Sequence, residues 1–443
     1  MITLVFADVV RGYRVWLGLA AVAAAVAAAF TYVACTLTSA AANPGDLGAL
    51  IAATSVAVVF FTVVAGIVVI GSISGLVVSV QRRQIALWQL IGLSPRAVFW
   101  TFAAQILVTA TAGAAVGAVA GGWGFAPVFR YVLSAWADPD TAIVQVQPWA
   151  IVVAAAVTVL FVGLSGLGGA RRASRTSPVQ ILREPEPQGR IIRWARVAIA
   201  VILISVTVGI AVTRSGESLS SIATNAPFFA PLLLVALVIA APVLCPALIA
   251  LWTKVIPARV SSSWYLARNS AQYRVGLTTS AISPLMLAMG LVAGVYSAGN
   301  TLAAAAGADA ASYSLDPREM LLMFGGPLLV SLVASAAAVY ITNGDRRRER
   351  ALLDSAGATP GVHVAVALWE ALIYIVTAMI LATAAVIAAT LLVSVLIGAA
   401  ALSVDLAPIA ILAAVGLILL GAATLLPVIA ARRASPLTAL AAH

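Results

Sequence analysis

QRRQIALWQLIGLSP at residues 81–95 comes back as RRRERALLDSAGATP at residues 346–360. Each copy starts with arginines, continues with apolar side chains at helical spacing, and closes on a glycine followed by Ser or Thr and a proline. Long apolar runs flank both. Two more landmarks recur in the same order: YRV at 13–15 and 273–275, and ARRASRTSP at 170–178 against ARRASP at 431–436. Three ordered matches mark an internal duplication. The repeated pieces are the charged ones, which must face water.

Composition assigns the apolar remainder. The chain is 63% hydrophobic and 9% charged, against about 25% charged residues in a soluble domain. It reads as an all-α polytopic membrane protein. A hydrocarbon core takes about 20 residues of helix to cross, and that length predicts ten spans over 15–39, 49–79, 97–122, 148–169, 195–212, 226–252, 276–304, 319–341, 362–394 and 407–430. The first run has the look of a signal peptide, but its copy lies in mid-chain, so it is kept as a span. All but three of the 25 Lys and Arg (Arg130, Arg214 and Arg318) fall on the side that holds both termini. By the positive-inside bias that side is cytoplasmic. The net charge of +10 then needs no nucleic acid, and anionic lipid headgroups suffice as partners for the juxtamembrane arginines. Arginine stands almost everywhere for lysine, Lys254 being the single lysine. With the abundant alanine this suggests a GC-rich bacterial genome and hence a bacterial plasma membrane.

The duplication orders the spans as 4+2+4. A first four-helix module covers 1–182, a linker and two extra spans cover 183–260, and a second module covers 261–443. An even number of crossings separates the copies, so both insert in the same sense, as parallel repeats about an axis along the membrane normal. Two similar cytoplasmic faces then lie side by side. On the first, Ile85, Trp88 and Ile91 recur at helical spacing, widened by Leu87 and Leu90, beside Arg82 and Arg83. Gly92 suits a left-handed helix cap, and Ser94 with Pro95 suits the start of the next helix. The second copy repeats this with Arg347, Arg348, Glu349 and Leu352, then Gly357, Thr359 and Pro360. These residues are the candidate lever through which an external partner acts on the spans. A well-capped cytoplasmic hairpin is the plainer reading of one copy alone.

The paired loops, each followed by ARRAS, resemble the FtsX-like permease family of ATP-binding-cassette transporters, and the 4+2+4 order is similar to the ten-helix bacitracin-resistance type of permease. The resemblance covers both four-helix modules. It implies a separate ATPase subunit, two copies per chain, that binds ATP and Mg and pushes on the two loops, with no cofactor in this chain. In that type a large extracellular domain follows the seventh helix. Here the interval 305–318 is too short for one, so peptide recognition by such a domain is not implied. No phosphate-cradling loop occurs in the sequence: Lys254 is followed by Val255, not Ser or Thr.

Catalytic constellations fail on chemistry. GLSG at 163–166 has a serine, but the two histidines, His363 and His443, lie far from it in the chain and supply no base. Small residues for helix packing explain its glycines. Two histidines and two distant cysteines make no zinc site, and Cys35 and Cys245 lie at different depths, unsuited to a bridge. Glu370 falls inside a span, where a charged group costs about 2.5–3.5 kcal/mol, and its register equivalent is Gln105. The pair is a candidate intramembrane polar gate meeting near the pseudo-axis. Interhelical hydrogen bonding, or Glu370 facing His363, accounts for it as well. Trp123, Trp136 and Trp149 read as interfacial anchors, and Pro227, Pro231, Pro242 and Pro246 as a kink in the sixth span. SPVQILRE at 177–184 and its copy at 435–442 suggest short surface helices. Three functions follow: ATP-driven export or extraction of an amphipathic lipid, drug or antimicrobial peptide; mechanotransmission to an extracytoplasmic wall hydrolase or a sensor kinase; and ion-coupled transport, which the single intramembrane carboxylate disfavours.

Overall fold

A computed structural model describes residues 13–90, 92–134, 143–175, 190–214, 216, 218–257, 261–307, 316–345, 353–355, 357–398 and 403–433. It is all-α. In chain order the helices are α1 (Tyr13–Ala42), α2 (Gly45–Leu90), α3 (Pro95–Leu133), α4 (Pro148–Arg175), α5 (Arg190–Thr213), α6 (Leu219–Trp252), α7 (Ser262–Tyr273), α8 (Val275–Ala306), α9 (Pro317–Asp345), α10 (Pro360–Ile397) and α11 (Ala407–Arg433). Ten of these, all but α7, are long and apolar enough to cross a membrane. In lipid a helix meets its backbone hydrogen-bonding needs internally, and the apolar runs supply the outward surface. The chain is a multi-pass membrane protein.

α1 and α8 are the inner posts. α1 packs against α2, α3, α4 and α9, and α8 against α2, α6, α9, α10 and α11. α2 and α9 pack on each other between the posts, while α5 rests mainly on α6. The tightest approach is α1 to α3. A Cβ added at Gly113, Gly117 or Gly121 would run into the backbone of Ala20, Ala24 or Ala28 in turn, so three bare backbone positions, each one turn apart, let these helices touch main chain to main chain. A large core follows, from Trp16 and Phe102 to Met286, Met289 and Ile373.

At the end opposite the two repeated loops, irregular segments strap α4 to α1 in one group of helices and α11 to α8 in a second. The Asn43 side chain donates to the Ile143 carbonyl and accepts from the Ile143 N–H, both at 2.9 Å, while the Gln145 N–H donates to Ser39 Oγ at 3.1 Å. In the second group the Asp405 N–H donates to Ser297 Oγ at 3.1 Å, and Thr301 Oγ1 donates to the Ser403 carbonyl at 3.4 Å. Nearby, Arg318 of α9 donates to Ser134 Oγ at 3.1 Å and lies over the Tyr131 ring, 5.4 Å from its centroid. Leu322, one turn on, enters a cluster of Cys35, Ile51, Phe125 and Phe129.

The second span holds over Gly45–Gln81, and the helix expected in the loop after it is continuous with it, α2 running unbroken to Leu90. α6 carries its four prolines within one continuous helix, the setting in which a proline kink forms. The interval between α6 and α8, to which the sequence reading assigns no element, contains α7. The glycines of GLSG face α3: a Cβ at Gly166 would lie 2.9 Å from Ile106 and one at Gly163 3.1 Å from Leu107. That is the helix-packing role expected of them. Trp123 and Trp149 are exposed at one end of the bundle, and both cysteines are buried thiols. Trp136, the linker at 183–189 and the expected surface helices lie outside the described residues.

Candidate functional site

The glycine turns of the two repeated loops close in the same way. In the first, the Gly92 N–H donates to the Gln89 carbonyl at 3.0 Å and the Leu93 N–H to the Trp88 carbonyl at 3.1 Å. In the second, the Gly357 N–H donates to the Asp354 carbonyl at 3.0 Å and the Ala358 N–H to the Leu353 carbonyl at 2.9 Å. This double bond is the Schellman close of a helix, which needs a left-handed residue. Gly92 (φ 94°) and Gly357 (φ 87°) provide it. Ser94 Oγ then accepts from the Ala97 N–H at 3.3 Å, with Pro95 in the first turn of α3, and Thr359 with Pro360 stands at the start of α10. Two hydrogen-bonded elbows therefore tie α2 to α3 and the helical residues 353–355 to α10.

The described side chains refine the lever. Ile85 is 1% exposed and belongs to the core. Trp88 is half-buried against that core, as is Leu93. The apolar surface this elbow offers outward is instead Leu87 and Leu90, 50% and 57% exposed. Ile85 and Trp88 thus anchor the elbow to the bundle, and Leu87 and Leu90 are the side chains a partner could meet. Arg82 and Arg83 lie on the α2 extension. Ile91, Arg347, Arg348, Glu349 and Leu352 lie outside the described residues.

The second elbow has a link the first lacks in register. Asp354 Oδ1 lies 2.7 Å from His363 Nε2 on α10, whereas the matching residues 265 positions earlier are Gln89 and Val98. The carboxylate is 61% exposed and the imidazole 12%, so the pair crosses from the elbow's surface to the flank of the helix. His363 therefore faces Asp354 rather than Glu370. A His and an Asp nine residues apart across a Gly turn is the signal by which the sequence could have shown it.

Gln105 and Glu370 are both buried. They sit on α3 and α10, and these two helices share no packing face among the described residues. Each therefore lies within its own helix group. Beside Glu370, Trp369 meets Trp264 of α7 (5.1 Å, edge to face), and Trp264 meets Trp252 of α6 at 6.2 Å. Trp252 Nε1 donates to Thr377 Oγ1 of α10 at 3.1 Å. Three tryptophans from three elements so brace α10 above its elbow. Trp264, Ala267 and Ala271, all buried, are spaced at three and four residues, and Ser261 Oγ caps α7 by accepting from the Ser263 N–H at 3.2 Å. That spacing was the readable sign of α7.

Among the described residues no group of His, Cys, Asp and Glu is placed to hold a metal ion. Residues 56–178 and 344–436 each match the family described as FtsX-like permease C-terminal. Each match takes in one elbow and the two spans beyond it. No curated protein matches the chain.

Proposed function

This chain belongs to the FtsX-like permease family, and we propose from that premise that it is the membrane subunit of an ATP-binding-cassette transporter whose ATPase docks on the two elbows. The observation that carries the proposal is the pair of elbows closed by the same helix C-cap, one in each family-matched stretch. Two like sites on one chain suit a pair of ATPase subunits, each bearing on residues 82–91 or 347–356. The 4+2+4 order of parallel modules is supported by corresponding contacts: α1 with α3 and α8 with α10, α3 with α4 and α10 with α11, α1 with α9 and α8 with α2. The distribution of arginine supports an arrangement with elbows and termini in the cytoplasm.

ATP binding acts through differential contacts with two states, so an elbow must carry displacement into its spans. The Schellman close and the short turn into α3 or α10 make each elbow a stiff joint. The cargo class the reading favours is an amphipathic compound exported or extracted from the bilayer. Gln105 and Glu370, buried in separate helix groups, are better placed to hold helices together than to form one gate. Copurification with the ATPase subunit, followed by Arg82→Glu, Arg83→Glu, Arg347→Glu and Arg348→Glu, tests the docking. Loss of ATPase recovery is expected, and undiminished assembly would overturn the elbow assignment. ATP hydrolysis stimulated by a lipid or drug in the reconstituted complex tests the transport reading.

A further inference from the structure

α7 is short, and it lies against the bundle. Its buried side, Ser263, Trp264, Ala267 and Ala271, packs toward α10. Trp264 Nε1 donates to the Ile256 carbonyl at 3.3 Å, and Thr278 Oγ1 of α8 donates to the Ala271 carbonyl at 2.9 Å. Both ends are therefore pinned. Its other side carries Tyr265 and Tyr273, 53% and 76% exposed, together with the half-exposed Arg268. Because Trp264 touches Trp252 and bonds Ile256, the exposed Lys254 between them lies at the same corner. Arg268 is one turn beyond Trp264.

The charge here is one-sided. Residues 218–308 contain Lys254, Arg259, Arg268 and Arg274 and not one Asp or Glu. The described structure pairs neither Lys254 nor Arg268 with an acid, and the neighbouring carboxylate, Glu370, is buried. An exposed lysine and a partly buried arginine beside exposed tyrosines at the foot of membrane-spanning helices match the headgroup layer, where phosphate is the available anion and aromatic rings settle.

We propose that Lys254 and Arg268, on the floor made by α7, seat the phosphate of an anionic phospholipid, and that the lipid so held braces α10 through Trp264 and Trp369. The general attraction of arginines to a charged surface does not need α7; this seat does. The proposal concerns a lipid site and stands apart from ATPase coupling, so it can fail while the transporter reading survives.

The test uses the full chain in nanodiscs of phosphatidylcholine with a minor fraction of phosphatidylglycerol, and native mass spectrometry of the lipids that stay bound. Wild type should retain phosphatidylglycerol well above its bulk fraction, and inorganic phosphate in excess should not displace it. A basic residue near an anionic surface is worth about fivefold in affinity, so Lys254→Gln with Arg268→Gln should lower retention about thirtyfold, toward the bulk ratio. Arg96→Gln, at the first elbow, serves as the control and should leave retention unchanged. Retention at the bulk fraction in wild type, an undiminished double variant, displacement by phosphate, or an equal loss from Arg96→Gln would each overturn the seat.

Discussion

The first and third spans of each half meet in different ways. In the first half Gly113, Gly117 and Gly121 bring α3 onto the main chain of α1. In the same register the second half has Ala378, Ala382 and Val386 on α10, so side chains separate α10 from α8. The glycines of the second half are elsewhere, at Gly290 and Gly294 of α8, where an added Cβ would meet Leu234 and Ala230 of α6. One half uses bare backbone to close on itself, and the other uses it to accept an additional helix. The consequence shows in burial: 78% of the α8 membrane window is inside the protein against 56% for α1. The two sides are lopsided because α6 packs chiefly on α8 and α10 and meets the other side at α2, where Phe228 lies against Phe60 and Phe61. α5, resting on α6, is the least buried span, with 17% of its window inside the protein.

The largest effect should come from the close approach. Gly117→Leu should prevent recovery of folded protein, and Gly117→Ala should cost about 1–3 kcal/mol, the usual cost of overpacking, seen as a lower midpoint of thermal unfolding in detergent. The matched change, Ala382→Gly, should cost only about 1 kcal/mol, the helix propensity of glycine. Equal midpoints for Gly117→Ala and wild type would remove the backbone contact from the comparison.

The straps come next. Asn43 satisfies both polar groups of Ile143, standing in for a neighbouring strand, whereas the second half binds its strap through Ser297 and Thr301 hydroxyls. Asn43→Ala should therefore destabilise by about 1–2 kcal/mol, two hydrogen bonds at ordinary net worth, and Ser297→Ala by about half that. Hydrogen exchange at Ile143 and Asp405 gives the readout, and the two amides should respond independently.

At the elbows the asymmetry reverses, since the second one carries the additional tie. His363→Ala should lower ATPase stimulation about twofold to fivefold, the value of a partly exposed side-chain hydrogen bond of up to about 1 kcal/mol. Asp354→Asn should fall in the same range and add little to it. Gln89→Ala in the first elbow should change stimulation less. If both single variants match wild type, the elbows are mechanically equivalent.

What the sequence made legible follows from physics that acts locally. The length of an apolar run determines whether it can span, so ten spans were readable to within a few residues at most ends. The cap residues Gly92, Gly357, Ser94 and Pro95 act within one turn, and the elbows were readable for that reason. The other features depend on what lies opposite in space. Ile85 and Leu87 are equally apolar, and only the fold decides that Ile85 faces inward and Leu87 outward. α2 joins its span to the loop helix without a break because nothing between Gln81 and Gly92 interrupts a helix. Trp252, Trp264 and Trp369 come from stretches up to 117 residues apart, with nothing local to join them.

The smallest effect expected is at the matched polar positions, and it tests the duplication most directly. The first half already holds an uncharged amide at Gln105, fully buried on α3, and Glu370 occupies the equivalent turn of α10. If both serve as interhelical polar contacts in their own half, the shape and acceptor oxygen matter and the ability to ionise does not. Glu370→Gln should then leave the unfolding midpoint and the substrate-stimulated ATPase rate within about twofold of wild type, because an isosteric amide keeps an acceptor for a neutral hydrogen bond worth about 1 kcal/mol. Glu370→Leu should cost more in stability, because it removes the acceptor and strands a buried partner. A Glu370→Gln protein that folds as wild type but neither transports nor stimulates would separate the halves in chemistry as well as packing, and would return the carboxylate to the transport step.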